Sequence, residues 1–130
     1  MKTDYKIAAA IIGSFALGVG AASVLRAQGT APVYGVAEIN VRDEDGYKKD
    51  FLPKAQELIK EAGGKYLAGG FNKTTSYTGF PAANRFVIIL YPSADAWNKL
   101  WSGGLKDHQD EVGNKYADFR VLNVESVEMK

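Results

Sequence analysis

The sequence has no cysteine and a single histidine. Without cysteine there is no disulfide, no thiolate metal site, no cysteine nucleophile and no lipoprotein anchor cysteine. One histidine rules out a multi-histidine metal centre, and no metal is expected. Neither sign of charge is in surplus, with 16 Lys+Arg against 15 Asp+Glu and a formal net charge of +1. A nucleic-acid binder normally shows a basic excess or stripe, so a nucleic-acid partner is not expected. Nucleophile elbow, phosphate-binding P-loop and dinucleotide fingerprint are all missing, and no cofactor is expected. At 130 residues the chain holds one domain, or one domain behind a targeting segment.

Long uncharged runs are absent except at the start. Lys2 and Lys6, with Asp4 between them, precede Ile7 to Leu25, which carries no charged residue and ends at Arg26. A basic lead before an apolar run is the layout of a secretory signal. The run is longer than the usual apolar region of about 7–15 residues and close to the roughly 20 that span a bilayer. Residues 1–27 therefore read as a signal peptide or as a transmembrane anchor formed by one apolar helix. Ser14, Gly18 and Ala22 recur at helical spacing as one small-residue stripe. Such stripes let membrane helices approach closely, which makes these three the candidate contacts with a membrane-protein partner. The basic end stays inside, so the domain is expected to be periplasmic or secreted, and anchored in the inner membrane if residues 7–25 are retained.

Residues 28–32 form a short linker, and the domain runs over 33–130. Val33 to Val41 alternates Val33, Gly35, Ala37, Ile39 and Val41 with Tyr34, Val36, Glu38 and Asn40, a strand pattern. Asp43 reads as a helix N-cap ahead of Glu44 and Asp45. Phe51, Ala55, Leu58, Ile59 and Ala62 then recur at helical spacing. Pro53 should kink or restart that helix, and Gly63-Gly64 should stop it. Lys65 to Phe71 is a second strand, in which Gly69-Gly70 suggests a bulge or a close backbone approach. Asn72 to Asn84 is a polar loop. Arg85 to Tyr91 is a third strand, apolar on both faces as a covered central strand is. Ser93 caps a second helical region with Ala96, Trp97, Leu100 and Trp101 as its apolar stripe. Gly103-Gly104 breaks it, a more polar helix follows over Leu105 to Tyr116, and Phe119 to Glu128 is the last strand.

The order βαββαβ is that of the ferredoxin-like split unit, an α+β fold with a four-stranded antiparallel sheet and helices on one face. The apolar third strand needs cover on its other side as well. A second copy of the sheet is the simplest cover, so a homodimer is expected, and in a small domain without disulfides oligomerisation is also one source of stability.

Several stretches together resemble the bacterial DUF1330 family of the dimeric α+β-barrel superfamily. They are Asp43 with Gly46-Tyr47, Gly63-Gly64-Lys65-Tyr66-Leu67-Ala68, Arg85 before the apolar strand, and Pro92-Ser93 with Ala96. The resemblance extends over about residues 33 to 128 and implies the fold and a dimer far more than a chemistry. The chain departs from the family at Gly69, where an Arg is usual, and across Trp101 to Gly104 and His108.

Two residues are candidates for catalysis. Glu38 lies mid-strand with Tyr34 and Asn40 on its face, and a carboxylate held there could act as a base. The alternative is a structural charge paired with Arg85 or Arg120. His108 could be a general base or a single axial ligand to haem, although its surroundings, LKDHQDEVG, suggest an exposed position. Trp97, Trp101, Tyr91 and Phe86 could line an apolar pocket between sheet and helices, with Tyr34, Asn40 and Arg85 as further ligand-binding candidates. The leading expectation is a small binding or assembly module that holds a small apolar ligand or serves as accessory subunit of a membrane complex. The alternative is a cofactor-light enzyme of the superfamily, a monooxygenase or isomerase, using Glu38 or His108.

Overall fold

The computed structural model describes residues 31–127. The apolar stretch at 7–25 and its small-residue stripe lie outside them. Among the described residues no helix is long and apolar enough to cross a membrane.

Strand β1 (Val33–Val41) leads into a short helix α1 (Glu44–Gly46), a wide π-turn (Tyr47–Phe51) and helix α2 (Leu52–Glu61). Strands β2 (Lys65–Phe71) and β3 (Arg85–Tyr91) follow, then helices α3 (Ala94–Trp101) and α4 (Gly104–Glu111), a 3-10 turn (Gly113–Lys115) and β4 (Ala117–Glu125). The sheet is antiparallel in the order β2-β3-β1-β4, so β1 and β3 are central. This is the expected ferredoxin-like arrangement. The last strand starts at Ala117 because Ala117 pairs with Val41 at the end of the β1 register, and it stops at Glu125 opposite Val33.

Local chemistry explains the helix boundaries. The Asp43 carboxylate accepts from Gly46 N–H at 3.0 Å, and the Ser93 hydroxyl accepts from Ala96 N–H at 3.1 Å, each satisfying a donor left free at a helix start. Pro53 has no N–H and crowds the turn before it. The helical run widens there, with Leu52 N–H bonded to the Tyr47 carbonyl, and α2 restarts with the proline in its first turn, where no donor is needed. Gly63, at φ +85°, closes α2: its N–H bonds to the Lys60 carbonyl and Gly64 N–H to the Ile59 carbonyl.

Side chains alternate across the sheet. Val33, Ile39, Val41, Val87, Ile89, Tyr91 and Ala117 are buried under the helices, where Tyr47, Phe51, Ala55, Ile59, Leu100 and Leu105 complete the core. The opposite face is open. It carries Tyr34, Val36, Glu38 and Asn40 of β1, half-buried Phe86, Ile88 and Leu90 of β3, and Arg120 with exposed Leu122 and Val124 of β4.

The bulge in β2 falls between Tyr66 and Ala68, ahead of the glycine pair. The glycines provide the close approach instead. A Cβ on Gly69, at φ +105°, would lie 1.9 Å from the Phe86 carbonyl oxygen. No side chain can stand there in this backbone.

Candidate functional site

A cavity of about 50 Å³ lies between the sheet and the helices. Its floor is the helix-facing side of the central strands. Gly35, Ala37 and Ile39 come from β1, and Arg85, Val87, Ile89 and Tyr91 from β3. Tyr47 and Phe51 of the π-turn, Ala55 and Ile59 of α2, Trp97 and Trp101 of α3, and Leu105 and Gln109 of α4 close it. The Ser93 cap sets the phase of α3, so Trp97 and Trp101, four residues apart, share the inward face. Their rings are 5.6 Å apart, and Trp97 meets Tyr91 edge-on at 5.3 Å. Gly35 makes room for this stack: a Cβ there would be 2.5 Å from the Trp97 ring and 2.7 Å from the Tyr91 ring.

Arg85 is the one charged residue lining the cavity, and it is 6% exposed. Its guanidinium lies 4.6 Å from the centroid of Phe71, its cross-strand partner, and 5.8 Å from that of Tyr47. It also makes a polar contact with the Tyr47 hydroxyl. The Nε atom is buried without a hydrogen-bond partner. Ion pairs among the described residues join Arg42 to Asp118, Lys48 to Glu44, Lys54 to Glu57 and Lys106 to Asp110, and none includes Arg85. A cation over an aromatic ring gains about 0.5–2 kcal/mol, whereas taking an ion out of water costs several kcal/mol even after relaxation. The two rings do not offset that cost alone.

The neighbouring phenols feel the same environment. Burial pushes the Tyr47 and Tyr66 hydroxyls above their ordinary pKa, and the Arg85 charge pulls both part of the way back. Burial also raises Tyr91, with Tyr66 adding to the effect. Two further polar atoms are buried without a partner, Trp101 Nε1 and Gln109 Oε1.

The structure divides the sequence-predicted residues between two places. Arg85, Trp97 and Trp101 share the cavity with Tyr91. Tyr34, Glu38 and Asn40 are on the open face of the sheet, as is Phe86, so they cannot join Arg85 in one site. Glu38 has Arg120 as its cross-strand neighbour on β4, while Arg85 points the other way. His108 is half-buried, not solvent-facing. Its ring stacks on Phe51 at 4.8 Å and 8°, and Nε2 lies 2.9 Å from the Phe51 carbonyl oxygen. Since that oxygen only accepts, Nε2 carries the proton. Glu38 and His108 therefore lie on opposite sides of the sheet and form no acid–base pair. Among the described residues no cluster of three or more His, Cys, Asp or Glu could hold a metal ion.

Sequence reasoning missed Tyr47, Tyr66 and Gln109 as cavity residues. Tyr47 was within reach, because Tyr47, Phe51 and Ala55 continue the apolar stripe of α2 by one turn. Gln109 gives no signal in a helix that is polar on most sides.

Comparison with known proteins decides the family. The domain of unknown function DUF1330 matches the chain over residues 32–104, from the start of β1 to the start of α4. The chain belongs to the DUF1330 family. Its matched part includes Arg85, Trp97 and Trp101 and stops before His108 and Gln109. No curated protein matches this DUF1330 chain. Among solved structures it is similar to RPA0582 of Rhodopseudomonas palustris, a protein of unknown function, at 15% identity and a TM-score of 0.61, covering 82% of this chain and 92% of that one. It is also similar to a hypothetical Arabidopsis thaliana protein, at 10% identity and a TM-score of 0.54, covering 78% of this chain and 94% of that one. At such identities the likeness concerns the fold of this DUF1330 domain alone.

Proposed function

We propose that this chain is a small-molecule-binding module whose ligand, small and largely apolar, sits between the sheet and the helices. The observation that carries the reading is the cavity of about 50 Å³ walled by Tyr91, Trp97, Trp101, Val87 and Leu105. Interiors are close-packed with few voids larger than a water molecule, and binding sites are concave, apolar and marked by a few polar groups. This volume admits roughly three to five water-sized groups. Both tryptophans of the chain line it, so intrinsic fluorescence reports on it directly. Titration with neutral and anionic molecules of that size should give a saturable change in emission and a ligand-dependent rise in Tm. If no member of the panel does either, the reading fails.

The same proposal takes the module to be a homodimer joined through the open sheet face. Val36, Phe86, Ile88, Leu90, Leu122 and Val124 give that face its apolar content, with Glu38 and Arg120 among them. A two-fold interface meets its own copy, so it must be self-complementary, and a face holding both charge signs around an apolar centre is. Light scattering should give twice the chain mass, and Ile88→Glu should give a monomer. A wild-type monomer at tens of micromolar would refute this part. We place the domain on the exported side of a membrane, with residues 1–27 as its signal or anchor and Ser14, Gly18 and Ala22 as contacts with a membrane partner. Intact mass from membrane and soluble fractions separates these cases, and a full-length chain confined to the cytoplasm would refute both.

A further inference from the structure

We infer that Arg85 is a carboxylate-binding group and that the cavity takes a small monocarboxylate. The inference rests on the binding reading above and adds the chemistry of the ligand. A guanidinium that is 6% exposed, lines a cavity and leaves Nε without a partner needs an anion. The protein does not supply one: no acidic residue lines the cavity, and none of the ion pairs among the described residues reaches Arg85.

The type of anion follows from the rest of the lining. A single positive charge in apolar surroundings balances a single negative one, so a monoanion fits and a phosphate dianion does not. The planar fork of a guanidinium matches a carboxylate. Trp101 Nε1 is a second buried donor without a partner in the same cavity. Gln109 adds an unpartnered amide oxygen that would accept from a ligand hydroxyl. Aliphatic and aromatic walls suit a short apolar tail, and 50 Å³ limits the molecule to roughly three to five heavy groups.

Propionate against propionamide tests this on the wild-type protein at neutral pH, because the two differ in charge and hardly in shape. Binding is read by tryptophan emission and by ligand-observed NMR. A charge-assisted pair predicts that propionamide binds roughly tenfold to a hundredfold more weakly than propionate. Arg85→Met, with its fold checked by circular dichroism, should remove that difference. Sulfate, a dianion at this pH, should not displace propionate. Equal binding of the two probes would overturn the carboxylate assignment and leave the binding reading standing. Displacement by sulfate, or unchanged propionate binding in folded Arg85→Met, would overturn the assignment too. Binding of neither probe nor of any other small molecule would bring down both.

Discussion

Replacing Gly35 by alanine tests the seat of the tryptophan stack. The added methyl would stand 2.5 Å from Trp97 Cζ3 and 2.7 Å from Tyr91 Cε2, where carbon atoms normally rest about 3.5–4.0 Å apart. One ring must move by about 1 Å. Tyr91 is 1% exposed and held in the core, whereas Trp97 is only half-buried, so Trp97 yields. Overpacking of this kind costs about 1–3 kcal/mol. The loss of unfolded-chain entropy on going from Gly to Ala returns about 0.4–1 kcal/mol, since the extended backbone here accepts a side chain. A net destabilisation of about 1–2 kcal/mol lowers Tm by roughly 5–15 °C in a domain of this size. Thermal unfolding followed by circular dichroism gives that shift, and the tryptophan emission maximum should move with it. A Tm within about 2 °C of wild type with unchanged emission would refute the packing argument.

Three other outcomes are expected. Asn84 accepts from Val41 N–H and donates to the Val41 carbonyl, both at 2.8 Å, and so pins the end of β1 to the end of the long loop. Asn84→Ala leaves both backbone groups without that partner and should cost about 1–3 kcal/mol in urea unfolding. His108→Ala removes the bond to the Phe51 carbonyl and should cost about 1 kcal/mol by the same assay. The raised phenols of Tyr47, Tyr66 and Tyr91 mean that the unfolded chain ionises first. Their contribution to stability is complete below pH 10 and falls as pH rises beyond it, so phenolate absorbance in an alkaline titration should show a late fraction that appears together with unfolding.

The βαββαβ order, both caps and the glycine stop of α2 were legible in the sequence, because each rests on local chemistry within a few residues. What escaped was set by neighbours distant along the chain. Arg85 begins a strand that is apolar on both faces, so alternation within RFVIILY gives no indication of which side it takes. Pairing with Ile39 and Phe71 decides that, and it sends Arg85 away from Glu38. His108 reads as exposed in a polar segment, yet Leu105 and Val112 fall on its side of the helix, and Phe51 offers a ring and a carbonyl that only the fold brings near. The glycine pair of β2 was rightly singled out, but the bulge falls at Leu67, where the ladder with β3 loses step.

The π-turn at Tyr47–Phe51 has a consequence for how this domain can change in length. Each residue of an α-helix advances the azimuth by about 100°. The π-turn closes with Leu52 N–H on the Tyr47 carbonyl and so holds one residue more than an α-turn over the same span. Removing Lys48 or Lys49 would turn it into an ordinary turn and leave the segment before it in nearly the same phase relative to α2. Tyr47, 1% exposed beside Arg85, would stay in the core, and Asp43 would keep its capping position. The segment ahead of Pro53 therefore has one residue to spare, whereas α2 has none. Loss of one of its exposed lysines is tolerable there, whereas a one-residue deletion within α2 would shift the helical phase by about 100° and is not.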